Sequence, residues 1–401
     1  MTIRVLFIHQ NFPGQFKHVA SRLSDLKDFE VRAIGRDTAK GLPGVKITRY
    51  KPGTRPKSTA HPFLVQFEDA VAHGSTVARV LEKFRSSNWC PDVVIAHPGW
   101  GEALFIKDVF PDCRLINFCE YYYHAHGADS GFDPEFALSR SSGPQIRVRN
   151  ALHLTNLENC DLAVTPTRWQ HSLHPKAYQR KIRIIHEGID TTFLKPNPGS
   201  SYSTSEGEVF HAQQEIVTFV SRNLEPYRGF HTFMRALKNL MNSNKNCIVL
   251  IVGGDGVSYG RKPTGFSSWR EKMLNELNLD TSRIRFLGKV PYNDYVKILQ
   301  ISRVHVYLTY PFVLSWSMLE AMSCGCLIIA SKTAPVQEYI QDKENGLLVD
   351  FFDHAQLATT IDYALKHPKD LSHLRTAARN SVLHLSLERS IDNYLNLISS
   401  P

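Results

Sequence analysis

The stretch Tyr310-Pro-Phe-Val-Leu-Ser-Trp-Ser-Met-Leu-Glu-Ala-Met-Ser-Cys-Gly-Cys326 decides how the chain is organised. A β-rich run, Val304 to Leu308, precedes it and ends at a proline. A small-residue turn around Ser315 follows. Good helix formers from Ser317 to Met322 then lead to Gly325, where a helix is expected to stop. The pattern predicts a strand, a loop and a helix N-terminus. Such a junction points unpaired backbone N–H groups and a partial positive charge at whatever lies in front, which suits a phosphate. Ser315 and Ser317 add hydroxyls. Glu320, one turn into the helix, is placed to accept two hydrogen bonds from a ribose diol.

Working outward, short apolar runs alternate with helical patterns: Val5–Ile8, Phe16–Leu26, Glu30–Ile34, Phe63–Phe84, Val93–Ala96, Glu102–Val109 and Arg114–Asn117. That rhythm predicts an α/β fold with a parallel sheet wrapped by helices. It restarts at Glu215, with strands at Ile216–Val220 and Cys247–Val252, then helices at His231–Met241 and Asn293–Gln300. A chain of 401 residues is too long for one compact core. Pro196 to Gly207 has linker composition. The expected division is an N-terminal domain over 1–195, a linker over 196–213, a second domain over 214–370 and a helical segment over 371–401.

Composition narrows the function classes. Apolar residues at 42%, aromatics at 10% and charged residues at 21% describe a soluble globular protein with no run long enough to span a bilayer. Seven cysteines without a Cys-x-x-Cys pair argue against a disulfide framework and a zinc site, and fit a cytoplasmic location. The net charge of +9 divides into +7 over residues 1–195 (26 Lys+Arg, 19 Asp+Glu) and +2 over the rest (21 and 19). A basic first half is suited to an anionic membrane surface at the inner face or to an acidic acceptor. Nucleic acid is not expected as a partner, because no dense basic run or binding signature is present.

Several strand ends carry candidate chemistry. Gly14, in Asn11-Phe-Pro-Gly-Gln-Phe16, lets backbone approach a ligand where a side chain would collide. His97 and Trp100 follow another strand, where ligands of open α/β sheets bind. Cys119-Glu-Tyr-Tyr-Tyr-His-Ala-His-Gly-Ala-Asp129 is too polar and too flat for a core. It is expected to form an acceptor loop in which rings such as Tyr122 stack on sugar while Glu120, Asp129 and Asp133 accept from hydroxyls. No third ligand of fixed spacing accompanies His124 and His126 and no Asp-x-Asp motif occurs, so no metal is expected. Arg222 and Arg228 lie ahead of a helix start and form a plausible diphosphate clamp of partly exposed cations.

The segment Phe312–Cys326, followed by Ile328-Ile-Ala-Ser331 and Val336-Gln-Glu-Tyr-Ile340, resembles the nucleotide-sugar signature of retaining GT-B glycosyltransferases, family four. The resemblance implies two Rossmann-like domains facing a central cleft, with the C-terminal helix crossing back to the N-terminal domain. It implies that Glu320 holds the donor ribose, that Gly288 and Val290 bracket the base, and that Gly14, Arg222, Arg228 and the Ser315–Trp316 turn meet the diphosphate. The second arginine stands one position further on than the family pattern. A sugar-side glutamate is usual eight positions before the helix glutamate, and Phe312 stands there instead.

The implied activity is retaining, metal-independent transfer of a sugar from a UDP- or GDP-linked donor, with no cofactor. The acceptor would be a saccharide or lipid-linked saccharide in glycan or polysaccharide biosynthesis, touched by His97, Trp100, Tyr122 and Phe312. With the usual carboxylate missing, front-face attack within an ion pair is the expected route, and Glu120 or His126 is expected to orient the acceptor hydroxyl. A nucleotide-sugar epimerase and a catalytically silent nucleotide-sugar-binding protein are the alternatives.

Overall fold

The computed structural model describes residues 2–53, 61–136 and 138–399. It divides into two compact units, Met1–Gly188 with Leu387–Pro401, and Ile189–Ser386.

The first unit is built on seven parallel strands: β1 (Ile3–Ile8), β2 (Phe29–Arg36), β3 (Lys46–Tyr50), β4 (Val93–Ala96), β5 (Arg114–Phe118), β6 (Leu162–Thr165) and β7 (Ile182–Ile184). Their order is β3-β2-β1-β4-β5-β6-β7. Side chains alternate across a strand, and β1 shows why its interior is wholly apolar. Val5 and Phe7 enter one core with the helix Lys17–Ser24, while Leu6 and Ile8 enter the other with the helix Val65–Ser86. A sheet covered on both faces has no polar side. The helix Leu387–Ser399 adds Tyr394, Leu397 and Ile398 to the first of these cores.

The second unit holds β10 (Ile216–Asn223), β11 (Ile248–Gly254), β12 (Ile284–Gly288), β13 (Val304–Tyr307), β14 (Leu327–Ser331) and β15 (Leu347–Val349) in the order β12-β11-β10-β13-β14-β15. Both sheets therefore reverse their strand order beside their first strand, between β1 and β4 and between β10 and β13. Ligands of doubly wound sheets bind outside the carboxyl ends of strands at such a point.

Four sequence expectations are corrected. Residues 196–213 are not a linker: β8 (Ser201–Ser203) and β9 (Val209–His211) form an antiparallel hairpin. Its Tyr202 and Phe210 are buried against Ile216, Leu250 and Ile298. The first unit ends at Gly188 rather than 195, and residues 371–386 belong to the second unit. The physical cause is the helix Ser372–Val382, whose Ala378 and Val382 pack beneath the helix Trp316–Ser323. Its Arg379 donates to the Ser323 and Leu194 carbonyls, and Arg375 to that of Gly325. These cations satisfy carbonyls that a helix C-terminus leaves open. The expected continuous stretch 371–400 is thus two helices assigned to different units, with Ser400 outside the described residues. The helix expected over Glu102–Val109 is confined to Ile106–Val109, because Gly101–Phe105 is a turn.

Phe210→Ala should lower the unfolding free energy by about 3 kcal/mol, as expected for removing a buried ring. Chemical denaturation checks this. A free linker would give no change.

Candidate functional site

In the first unit the loops after β1, β4 and β5 bring together His9, Gln15, His97, Trp100 and Glu120. The Asn11 N–H donates to His9 Nδ1 at 2.9 Å, so the neutral ring carries its proton on Nε2. That nitrogen donates to Gln15 Oε1 at 2.7 Å, and Gln15 Nε2 donates onward to Glu120 Oε1 at 2.9 Å. Gly14 sits against His9, where an added Cβ would come within 2.4 Å of the ring. His97 stacks on Trp100 with centroids 4.3 Å apart. Its Nδ1 accepts from the Gly99 N–H, which leaves Nε2 as the donor, 3.7 Å from Glu120 Oε2.

Burial, and then the nearby His97 ring, hold the His9 pKa down to about 3, against the raising influence of Gln15 and Glu120. Burial alone would raise the Glu120 carboxyl; His97, Gln15 and His9 outweigh it and hold the pKa below the usual range. Glu120 is thus favoured as a carboxylate, hydrogen-bonded by the Gln15 amide with His97 Nε2 nearby.

Of these groups His97, Trp100 and Glu120 line a pocket of about 360 Å³ together with Asp69, His73, Tyr121, Tyr123, Arg149 and His153, while His9 and Gln15 support Glu120 from outside it. The pocket depends on a close approach between a helix and a loop. Gly101, at φ 103°, lies so near the helix Val65–Ser86 that a Cβ there would come within 2.1 Å of the Ala70 carbonyl oxygen.

The aromatic loop differs from expectation. Tyr122 is not among the lining residues; it packs on His124, His153 and His174, while Tyr123 lines the pocket. His126 is exposed and is not among them either. Asp129 and Asp133 are buried rather than presented to a ligand, Asp129 accepting from Tyr121 Oη and Asp133 from the Glu135 N–H. Tyr121, Tyr122 and Tyr123 are oriented by ring contacts with one another and with Trp169, His124, His153 and His174, so only part of the loop is presented to the pocket.

In the second unit the loops after β10 and β13 meet. Gly229, at φ 66°, permits the contact, since an added Cβ would come within 2.3 Å of Leu308 Cβ. Ser315 caps the helix Trp316–Ser323, and its N–H donates to Tyr307 Oη at 2.8 Å. Arg228 Nη1 donates to the same Tyr307 oxygen at 3.3 Å, to Thr309 Oγ1 at 2.9 Å and to the Val313 carbonyl at 2.9 Å. Arg222 is exposed, as expected, but Arg228 is buried, because the loop it braces and the Tyr259 ring enclose it. Trp316 is exposed beside the cap.

Glu320 is buried, and both its oxygens are taken. Tyr292 Oη donates to Oε1 at 2.8 Å and Tyr295 Oη to Oε2 at 2.6 Å. Burial raises its pKa, partly offset by those two hydroxyls. Gly288 ends β12 at φ 64° with open space beside it, and Val290 is partly buried against the core. Phe312 is buried by the rings of Tyr227 and Tyr259, at 5.4 and 4.8 Å. It belongs to the second unit, whereas His97 and Trp100 belong to the first.

Sequence reasoning missed His9, Gln15, Tyr307, Tyr292 and Tyr295, and also Glu225. The Glu225 carboxylate accepts from the Ser258, Tyr259 and Gly260 N–H groups and so holds the loop that covers Arg228. The one available signal was position, since Gln15 and Glu225 both lie in loops that follow a first strand.

Arg228→Ala should destabilise the protein by about 2 kcal/mol by stranding buried acceptors, whereas Arg222→Ala should change stability by less than about 0.5 kcal/mol. Denaturant titration separates the two. A second expectation concerns acid. Burial holds His153 and His305, like His9, down to about 3, and His174 to about 4. An unfolded imidazole takes its proton near pH ~6.5, so this stability is complete above that value and is lost as the pH falls toward 3. Each group contributes up to about 2 kcal/mol of loss by pH ~5. Denaturation midpoints measured from pH 7 to 5 should fall steadily.

Comparison with known proteins gives the family. Residues 27–194 match the model of the glycosyl transferase family 4 group, and residues 204–381 match that of the glycosyl transferases group 1. A D-inositol 3-phosphate glycosyltransferase of Corynebacterium efficiens is 26% identical over 266 residues, covering 60% of each chain. Its counterpart in Mycobacterium bovis is 23% identical, over 65% of this chain and 52% of its own. The chain thus spans between half and two thirds of the length of these curated relatives. Among solved structures, a sucrose-phosphate synthase from Thermosynechococcus elongatus matches over 98% of both chains with a TM-score of 0.71 and 17% identity. Anabaena HepE in complex with UDP-glucose matches over the whole of both chains at 0.70 and 15%. With the two family models covering adjoining parts of the chain and GT-B folds matching it throughout, the chain belongs to the group 1 glycosyltransferases, of the family 4 type.

Proposed function

We propose that the chain transfers a sugar from a nucleotide-sugar donor, held by the second unit, to a hydroxyl of a saccharide or lipid-linked saccharide bound in the pocket of the first. The observation that carries this reading is the buried Arg228 held against Tyr307, Thr309 and Val313, just ahead of the capped helix N-terminus that carries the buried Glu320, at the switch point of the second unit. The family match supports it, as does the likeness to HepE, a protein solved with UDP-glucose.

Arg222 and the helix behind Ser315 would meet the diphosphate. Phosphate oxygens are stronger acceptors than the neutral oxygens of Tyr307, Thr309 and Val313 that now hold Arg228. A bound diphosphate would therefore compete for that guanidinium. Charge growing on the leaving group would be stabilised by these fixed donors, without a metal. A ribose diol would replace the Tyr292 hydroxyl on Glu320; that tyrosine is half exposed and has room to leave. In the first unit, Glu120 and the His97–Trp100 stack would hold the acceptor. Phe312 puts an apolar ring where the family carries a carboxylate. Attack from the face of the departing diphosphate, with retention, follows as the proposed course.

The test is product formation from labelled UDP-, GDP- and ADP-sugars with saccharide acceptors, in excess EDTA. Transfer should persist, and Glu320→Ala should raise the donor dissociation constant at least about tenfold, or ~1.4 kcal/mol. Loss in EDTA with rescue by manganese or magnesium would remove the metal-free claim. Release of an epimer or free sugar without any acceptor would replace the transferase reading.

A further inference from the structure

Behind the pocket of the first unit lies a polar cluster that the groups above do not explain. Glu102, in the turn after Gly101, is 1% exposed. Its Oε1 accepts from Tyr50 Oη at 2.5 Å, and its Oε2 has no hydrogen-bond partner. Burial, and then the adjacent Glu102 carboxylate, push the Tyr50 pKa well up, so the hydroxyl keeps its proton and donates it to Glu102. The Tyr50 oxygen is then left to accept, and His73 Nδ1 lies 2.7 Å from it. His73 Nδ1 therefore carries a proton, and in the neutral ring Nε2 holds a lone pair.

His73 stands on the helix Val65–Ser86, one turn after Asp69, and both line the pocket with Glu120, His97 and Trp100. Its side chain is 13% exposed. Among the described residues none hydrogen-bonds its Nε2. Its Nδ1 lies 3.6 Å from Glu102 Oε1, so positive charge gained by the ring would face a carboxylate. A histidine kept only for packing needs no such arrangement. A buried carboxylate with one oxygen unpaired weakens the fold, and groups of this kind call for an explanation.

We propose that His73 is an acceptor-binding residue of this pocket: its Nε2 accepts the hydrogen of a sugar hydroxyl, and Glu102 and Tyr50 are positioning residues that fix its tautomer. The proposal rests on the reading of the pocket as the site of a saccharide acceptor.

Long-range ¹⁵N–¹H correlation spectra of the full chain, with the His73 signal assigned by its loss in His73→Gln, test the tautomer without any assay of activity. Wild type should show Nδ1–H. Tyr50→Phe, which keeps the ring and removes the oxygen, should shift the population toward Nε2–H. Methyl α-D-glucopyranoside should move the His73 Nε2 resonance. In transfer assays His73→Ala should raise the acceptor KM at least tenfold with the donor KM unchanged, and His73→Gln, whose amide oxygen can stand near Nε2, should restore most of the loss. If His73→Ala does not fold, Tyr50→Phe should still raise the acceptor KM more than threefold. An Nε2–H tautomer in wild type, an Nε2 resonance indifferent to the glucoside, or an unchanged acceptor KM would each overturn the proposal. A glucoside-dependent shift without transfer of any donor sugar would instead uphold His73 and sink the transferase reading.

Discussion

His9, Gln15, His97 and Trp100 in the first unit, and Arg222, Arg228 and Ser315 in the second, sit where a parallel sheet reverses its winding. All strands of such a sheet present their carboxyl ends at one edge, and successive crossovers go the same way round until the order changes. There two neighbouring loops diverge. In the first unit these are the loops carrying His9, Gln15, His97 and Trp100; in the second they carry Arg222, Arg228 and Ser315. The double-sided apolar strands exist to hold these edges rigid. Glycines bring the loops within reach, as Gly229 shows against Leu308.

The two edges treat charge differently. In the first unit, buried imidazoles stay neutral and pass hydrogen bonds in a fixed direction, from the Asn11 N–H through His9 and Gln15 to Glu120. Carboxylates and lone pairs facing the pocket favour a ligand that brings hydroxyl hydrogens. In the second unit the order is reversed: cations and backbone N–H groups wait for acceptors, and neutral hydroxyls of Tyr307 and Thr309 hold Arg228 meanwhile. A sugar acceptor and a phosphate-bearing donor fit these two edges respectively.

The fold was legible because apolar runs and their breaks obey local rules. The helix from Trp316 to Ser323 follows from Ser315 and Gly325. What sequence could not supply was burial, which depends on partners far along the chain. Arg228 and Arg222 look alike in sequence, yet only Arg228 is enclosed, by residues near 259 and 307–313. Ser/Thr/Gly-rich composition between 196 and 207 reads as a linker, but Tyr202 and Phe210 turn it into a packed hairpin. Tyr292 and Tyr295 carry no sign that their hydroxyls meet Glu320. Tyr122 and Tyr123 are neighbours, and only side-chain direction separates them.

On the proposed reading the second unit binds the nucleotide part of a sugar donor at its switch point. Hydrogen–deuterium exchange with UDP-, GDP- and ADP-sugars tests it most directly, because backbone amides of a helix N-terminus that bind phosphate must slow. At least one of the three should protect residues 222–229 and 309–323 more than any other part of the chain. Saturating binding that leaves both segments unprotected would contradict it.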